Sequence, residues 1–172
     1  MIYMDRPFKV GDRIRSPDRE IQGTVEYIGW RLTRIRTFDK RPLYVPNSVF
    51  TTVSIENPSR MTNRRIKETF GVRYQDASKV AAITSGITKM LKTNKDIDTS
   101  HACFVNLITY GPSSLDILVY TFTKTAQWIP YQAIKEQVML SILEIVEKHG
   151  AEMAFPTRTL EIPDNIAVAG SK

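Results

Sequence analysis

The first third of the chain alternates apolar and polar residues over short stretches, which is the pattern of half-buried β-strands. In the clearest stretch, residues 31–38, Leu32 and Phe38 share one side with two arginines, and Ile35 lies on the other side. Five short strands are predicted, over residues 8–14, 23–27, 31–38, 43–45 and 51–56. So many short strands in a short segment predict a small all-β barrel of the Sm/SH3-like kind.

Glycine, aspartate, proline and asparagine mark the turns of this β domain. Gly11 and Asp12 form a bend inside the first stretch, and Gly23 opens the second. Pro46 and Asn47 end the fourth, because proline removes a ladder donor and asparagine tolerates a positive φ. We expect these five residues to shape the turns of the β domain.

The remaining two thirds mix strand and helix periods. Residues 66–74 alternate as a strand, and Asp76 stands where an N-cap belongs, before an amphipathic helix over 77–92. A second helix is predicted to begin at Pro130 and to end at Gly150. The other strands are predicted over 101–110, 115–123 and 158–162. The order β-α-β-β-α-β predicts an α+β ferredoxin-like sandwich.

These patterns divide the chain into four segments. We expect a β domain over 5–60, an α/β ferredoxin-like domain over 61–156, a C-terminal strand over 157–163 and a tail over 164–172. The tail is small and polar, and we expect it to be flexible.

Composition excludes several protein classes. An apolar share of 42% is enough to build a core and argues against disorder. The single cysteine, Cys103, cannot form an internal disulfide, and with two histidines it cannot supply a conventional structural zinc site. The sequence has no apolar run of about 18 residues and no signal-peptide pattern. We therefore expect the sequence as given to be soluble and intracellular, with no cofactor.

No catalytic constellation stands out in the sequence. His101 and Cys103 share one face of a predicted strand, but a cysteine on an apolar strand face behaves as a small core residue. The eight glycines are scattered and make no Gly-rich phosphate loop. The sequence predicts a protein that is not an enzyme.

Positive charge is concentrated in the first third. Residues 1–65 carry 13 Lys and Arg against 7 Asp and Glu, a net charge of +6, whereas residues 66–172 carry 11 of each. The basic cluster consists of Arg31, Arg34, Arg36, Lys40, Arg41, Arg60, Arg64 and Arg65. It could neutralise nucleic-acid phosphates or lie beside an anionic bilayer. Against RNA binding, Leu107 and Ile117 occupy the inner positions of two central strands, where base-stacking aromatics are expected. An RNA- or DNA-binding module stays as the alternative function.

Six segments in order resemble the cytoplasmic part of the MscS family, the small-conductance mechanosensitive channels. They are RPFKVGD at 6–12, GTV at 23–25 with Ile28, RLT at 31–33 with RT at 36–37, VPNS at 45–48, IEN at 55–57 with Ser59, and AFPT at 154–157. The chain departs from the family's common Asp-Gly hairpin turn, since residues 39–42 read DKRP.

The resemblance implies a small β domain below a bacterial inner membrane, followed by an α/β domain in the cytoplasm. Seven copies would form a hollow cage with side portals, and a pore-lining helix would precede Met1. The implied partners are other copies of the chain, membrane lipids through the missing transmembrane part, and ions and small solutes. A terminal strand from each copy would close a parallel barrel through Thr157, Thr159, Leu160 and Ile162.

The resemblance also gives expected roles to two groups of residues. Those expected at the domain junction near the portals are Asn57, Ser59, Arg60, Arg64 and Arg65. Those expected on a membrane-proximal basic surface are Arg31, Arg34 and Arg36, where positive charge is favoured beside an anionic leaflet. The expected function is the vestibule of a mechanosensitive channel that supports tension-gated ion efflux in hypoosmotic stress, with no nucleic acid bound.

Overall fold

The computed structural model describes residues 7–156, which belong to two compact units divided between Thr62 and Asn63. The first unit contains strands β1 (Arg13–Ser16), β2 (Ile21–Ile28), β3 (Leu32–Arg36) and β4 (Pro42–Pro46). The second contains β5 (Arg64–Val72), α1 (Val80–Thr93), β6 (Phe104–Tyr110), β7 (Leu115–Thr123) and α2 (Trp128–Lys148).

The first unit is built on a four-stranded antiparallel sheet in the order β1-β2-β3-β4. The predicted alternation on β3 is confirmed, because Thr33 and Ile35 are fully buried whereas Arg34 and Arg36 lie on the other, partly exposed face. One apolar core lies under the sheet. Its buried members are Phe8, Ile14, Ile21, Val25, Ile35 and Val45.

The fifth predicted strand, over 51–56, is wrong. Val49–Thr51 is a 3₁₀ helix, and Glu56 makes a single bridge with Arg15 of β1. A second 3₁₀ helix, Pro58–Arg60, follows directly and begins with a residue that has no N–H for a strand ladder. Ile55 still packs against the core, so its apolar character reflects burial rather than strand pairing.

Gly23 lies inside β2, opposite Ile14 of β1, and not in a turn as expected. A Cβ at this position would stand 2.2 Å from the backbone oxygen of Arg36 and 2.8 Å from Cγ2 of Ile35. Glycine is needed here because the backbone of β3 approaches closely, which is a common reason for glycine within a strand.

The second unit is a three-stranded antiparallel sheet in the order β5-β7-β6, packed against α1 and α2. The strand β7 has the predicted bounds, with every second residue from Leu115 to Thr123 buried. At the edge of the sheet formed by β5, Met153 makes an isolated antiparallel bridge with Val72. The predicted fold class, a small all-β unit followed by an α+β ferredoxin-like unit, is confirmed.

The two helices start at other residues than predicted. α1 begins at Val80, because a 3₁₀ helix over Tyr74–Lys79 precedes it, and Asp76 is therefore not its N-cap. α2 begins at Trp128, two residues before Pro130.

The end of α2 is as predicted. Gly150 has a φ of 65°, and its N–H donates to the carbonyl of Glu147 at 2.8 Å. The N–H of Ala151 donates to the carbonyl of Val146 at 3.1 Å. These two bonds form the Schellman arrangement that ends many helices.

The predicted C-terminal strand over 157–163 and the tail over 164–172 lie outside the described residues. None of the helices in the part that the structure describes has the length and hydropathy required to cross a bilayer.

Candidate functional site

Two of the sequence-predicted groups meet in one polar cluster of the first unit. The Asn57 side chain donates from Nδ2 to Oδ2 of Asp12 at 2.9 Å, and the N–H of Lys9 donates to the same oxygen at 3.1 Å. Burial of the Asp12 carboxyl opposes its ionisation, but the hydrogen bonds from Asn57 and Lys9 and the nearby positive charges hold its pKa below the usual value. The structure thus joins the Gly11-Asp12 bend to Asn57, which the sequence assigned to a different group.

The other two junction residues of the first unit extend this cluster. Ser59 donates from its N–H to Oδ1 of Asn57 at 3.1 Å and accepts at Oγ from the N–H of Arg13 at 2.8 Å. Arg60 is the last residue of the following 3₁₀ helix and is exposed. Asn57 and Ser59 therefore bind the first strand to the end of the β unit.

Asn47 forms a second polar link, after the final residue of β4, Pro46. The hydroxyl of Thr33 donates to Oδ1 of Asn47 at 2.8 Å, and Nδ2 of Asn47 donates to the carbonyl of Gly29 at 2.8 Å. The N–H of Asn47 donates to the carbonyl of Arg31 at 2.9 Å. This one side chain fixes the turn after β4 against the loop before β3.

Two of the three expected membrane-proximal arginines share one carboxylate. Arg36 donates to Glu26 at two points, from Nε to Oε1 at 2.7 Å and from Nη2 to Oε2 at 2.9 Å. Nε of Arg34 lies 3.1 Å from Oε2 of the same glutamate. The hydrogen bond from Arg36 is the main cause that lowers the pKa of Glu26, and burial opposes it. Arg31 stands apart from this group, with its guanidinium 5.2 Å from the centre of the exposed Trp30 ring.

Sequence reasoning missed Glu26 as a partner of the arginines. The contact depends on the pairing of β2 with β3, in which Thr24 lies opposite Arg36 and an irregularity falls between Val25 and Tyr27. Glu26 lies within this irregularity and contacts both Arg34 and Arg36.

The two arginines expected near the portals from the second unit differ in their surroundings. Arg64 donates from Nε to the carbonyl of Ala126 at 2.7 Å, and its guanidinium lies 5.0 Å from the Trp128 ring centre and 5.6 Å from that of Tyr131. Arg65 is exposed on β5, with its guanidinium 5.8 Å from the centre of the Tyr120 ring. Arg64 therefore connects β5 to the segment before α2, whereas the side chain of Arg65 is exposed to solvent.

One face of the second sheet carries aromatic residues that the sequence analysis did not place there. Ile117 is fully buried on the helix side, whereas Tyr120 and Phe122 lie on the opposite face. Phe104 of β6 stacks on Tyr120 with ring centres 5.1 Å apart. The argument that the central strands lack aromatics is therefore wrong for this face, because it counted the residues that point toward the helices.

Asp76 forms a charged cluster that ties the start of α1 to the segment after α2. Its carboxylate accepts from Nζ of Lys79 at 2.7 Å, from Nε of Arg73 at 3.1 Å and from the N–H of Glu152 at 3.2 Å. The hydrogen bond from Lys79 is the largest cause that lowers the pKa of Asp76 to about 2, and burial opposes it. Asp76 was expected to cap a helix, but it instead connects the segment before α1 to Glu152, which follows α2.

The remaining residues considered from the sequence form no further cluster in the part of the chain that the structure describes. Within residues 7–156, no group of three or more His, Cys, Asp and Glu could hold a metal ion. His101 lies 3.8 Å from a carboxylate oxygen of Asp98, and its ring rests against Phe122. The four residues of the expected oligomer barrel, Thr157, Thr159, Leu160 and Ile162, lie outside the described residues.

Two family models match the chain in the order of its two units. The mechanosensitive ion channel β-domain model matches residues 1–60, and the model of the C-terminal part of the mechanosensitive ion channel MscS matches residues 66–153. Together they cover both the β unit and the ferredoxin-like unit.

Individual relatives agree with this match. The chain is 54% identical over 166 residues to the low conductance mechanosensitive channel YnaI of Escherichia coli, covering 96% of this chain and 48% of that protein. Two solved structures share its fold: MSL1 of Arabidopsis thaliana (TM-score 0.85, 24% identity, 90% of this chain and 56% of that one) and Helicobacter pylori MscS in a closed state (TM-score 0.79, 24% identity, 95% and 62%). The chain thus spans about half the length of the curated relatives that it matches. The matched models, the shared fold and the identity with a named channel together show that the chain belongs to the MscS family of mechanosensitive ion channels.

Proposed function

We propose that this chain is the cytoplasmic vestibule of a homo-oligomeric mechanosensitive channel in a bacterial inner membrane. The observation that carries the proposal is the match of two channel-family models, in order, to the two units of one chain. The oligomer contains seven copies, held together in part by a terminal strand that begins near Thr157. The vestibule keeps the pore helices of the full-length protein in register and filters solutes.

Tension acts on the membrane part of such a channel and not on this chain. Stretching the bilayer favours the state with the larger in-plane area, which shifts the population from closed to open. Ions and small solutes then leave the cell in hypoosmotic stress through the side portals and the pore. The charge and width of a portal determine which solutes pass.

The basic β unit suits a position below an anionic leaflet. A basic residue near such a surface contributes about 1 kcal/mol of attraction. Because Arg34 and Arg36 share Glu26, those three residues leave a single net positive charge, whereas Arg31 contributes its full charge. Of the three expected membrane-proximal arginines, Arg31 is therefore expected to contribute most to the attraction to an anionic leaflet.

Native mass spectrometry of the 172-residue chain tests the assembly. We expect a species near seven times the 19.7 kDa mass of the chain. A monomer at every concentration across the micromolar range would contradict assembly through this chain. A variant with Thr159 and Leu160 both changed to aspartate tests the terminal strand, since we expect the heptamer to be lost while the chain remains folded.

A nucleic-acid-binding module is the rival, and the face that carries Phe104 and Tyr120 beside the exposed Arg65 is the observation in its favour. Gel shifts with single-stranded RNA over a series of salt concentrations separate the two functions. Phosphate-dominated binding weakens steeply as salt rises. Tight binding that Tyr120→Ala abolishes would favour the rival, and the vestibule predicts no shift beyond that of an unrelated protein with the same net charge.

A further inference from the structure

A small polar cavity lies on the outer face of the first sheet, on a row of three neighbouring residues. Arg13 of β1 is paired with Thr24 of β2, and Thr24 is paired with Arg36 of β3. Residues paired across strands point to the same face, so the side chain of Thr24 lies between those of Arg13 and Arg36. The cavity measures about 200 Å³. It is lined by Arg13, Gly23, Thr24, Arg36, Thr37, Phe38 and Lys40.

Both arginines are held in place before any ligand arrives. The guanidinium of Arg13 lies 3.9 Å from the centre of the Phe38 ring, a stacked cation–π contact. The guanidinium of Arg36 is fixed on one side by Glu26 and on another by the carbonyl of Lys40, to which Nη1 donates at 2.8 Å. A site whose side chains are already ordered loses less conformational entropy when it binds.

The backbone around the cavity is specialised as well. Lys40 has a φ of 65°, in the left-handed region, which lets its carbonyl hold Arg36 while its side chain lines the cavity. Gly23 allows the backbone of β3 to approach β2, since a Cβ would stand 2.2 Å from the oxygen of Arg36. Replacing either residue would change the shape of the same cavity.

The charge of this cavity is positive. Of the residues that the structure describes, those that line it include Arg13, Arg36 and Lys40 and no Asp or Glu. Glu26 is not among the lining residues but pairs with Arg36 and Arg34, so the positive charge of the cavity comes mainly from Arg13 and Lys40. The guanidinium fork matches the oxygens of a phosphate group, and hydroxyls such as those of Thr24 and Thr37 add neutral donors.

We propose that this cavity binds a phosphate group, as a free phosphate or as a phosphate ester. Cavities that hold drug-sized ligands measure about 300–1,000 Å³, so about 200 Å³ suits a smaller group. The phosphate comes either from a soluble phosphate compound or from the headgroup of an anionic lipid. The site goes beyond the proposed function, because a vestibule can assemble and filter solutes without it.

Isothermal titration calorimetry of the 172-residue chain with inorganic phosphate at low salt tests the site. We expect saturable binding to one site per chain, and Arg13→Gln is expected to weaken it about tenfold or more, because it removes a charge-assisted contact from the cavity. Arg13→Lys keeps the charge but loses the fork and the stacking on Phe38, and we expect an intermediate loss.

Arg19→Gln is the matched control, because it removes the same charge from an exposed turn residue of the same unit that does not line the cavity. We expect it to leave phosphate binding within about twofold of the unchanged chain. Equal weakening by Arg13→Gln and Arg19→Gln would show a general charge effect and overturn the site, as would the absence of saturable binding. Circular dichroism of each variant checks that the fold is kept.

Flotation with vesicles distinguishes the two sources of phosphate. Vesicles that contain phosphatidylglycerol are compared with vesicles of phosphatidylcholine alone. Binding to the anionic vesicles that depends on Arg13 and is displaced by inorganic phosphate identifies a lipid headgroup. Binding of inorganic phosphate that depends on Arg13, without binding to the vesicles, identifies a soluble phosphate compound. Failure of the phosphate titration overturns this inference but leaves the vestibule proposal, which the native mass tests separately.

Discussion

Asp12 and Asn57 lie 45 residues apart in the sequence and are joined by a hydrogen bond of 2.9 Å from Nδ2 of the amide to Oδ2 of the carboxylate. The carboxyl of Asp12 is nearly inaccessible, with 5% of the residue exposed. A buried carboxylate without a donor costs far more than one with a donor. This pair therefore fixes the end of the β unit against its first bend.

Loss of the Asn57 side chain is expected to destabilise the first unit. Asn57→Ala removes the donor to Asp12 and leaves that buried carboxylate with fewer partners, at a cost of about 1–3 kcal/mol. Urea unfolding followed by fluorescence measures the change. Asn106→Ala, at an exposed position of β6, is the control and is expected to change stability by less than about 0.5 kcal/mol. Equal effects of the two substitutions would contradict the role given to the Asp12–Asn57 pair.

The stability of the second unit is expected to depend on pH through Asp76. Its pKa in the folded chain, about 2, is lower than its usual value of 3.8. A lowered pKa contributes stability above the unfolded value, and this stability is lost as the pH falls from about 4 toward 2. Asp76→Asn should therefore destabilise the chain at pH 7, and the difference from the unchanged chain should shrink as the pH approaches 2.

Thermal unfolding at a series of pH values measures this dependence. Glu144→Gln, which removes a carboxylate from an exposed position of α2, is the control. We expect its effect to be small at every pH. A difference between Asp76→Asn and the unchanged chain that stays constant from pH 7 to pH 2 would rule out the ion pairs with Lys79 and Arg73 as the cause.

Gly11 and Gly23 are expected to be needed for different reasons, Gly11 for its backbone conformation and Gly23 for the close approach of β3. Gly11 has a φ of 94°, and a Cβ there would meet nothing within 4 Å, so Gly11→Ala costs only backbone strain of about 1–2 kcal/mol. Gly23→Ala adds a steric clash with the backbone of Arg36 and is expected to cost about 3 kcal/mol or more. Chemical denaturation of both variants gives the comparison, and a smaller loss for Gly23→Ala would show that β3 can move away from β2.

Arg64 and Arg65 are expected to behave differently although they are neighbours. Arg64→Gln loses the bond to Ala126 and the contact with Trp128, and should destabilise the second unit by about 1–2 kcal/mol. Arg65→Gln should leave stability unchanged and, in the full-length channel, alter conductance or ion preference if it lines a portal. Unchanged currents for Arg65→Gln and Arg60→Gln would exclude these two residues from the portals.

The sequence was sufficient for elements whose patterning is local. The strand Leu115–Thr123 has its predicted bounds because its residues alternate with a strict period of two. Gly150 ends α2 as predicted, since a left-handed residue after a helix is a local requirement.

Two of the failures involve contacts that are distant in sequence or a burial that no ladder explains. Ile55 looks like a strand residue but packs against the core without a ladder, and Asp76 looks like a cap but accepts from the N–H of Glu152, 76 residues away. The position of Glu26 beside two arginines follows from the pairing of β2 with β3, which no local pattern indicates.

The candidate site was predictable in part. The motif residues Asp12, Asn47 and Asn57 were found from the sequence, but what they bind was not. The row of Arg13, Thr24 and Arg36 could not be found, because it depends on the pairing of three strands. A sequence shows which residues are basic, and only the register shows which of them converge.

Patch-clamp recording tests the central claim most directly. The probe is a chimaera in which this chain replaces the matched segment of the Escherichia coli relative, expressed in cells that lack other mechanosensitive channels. We expect suction on excised patches to open discrete currents, as it does for the unmodified relative in the same cells. A chimaera that assembles in the membrane and stays silent at pressures that open the relative would contradict the assignment of this chain as a channel vestibule.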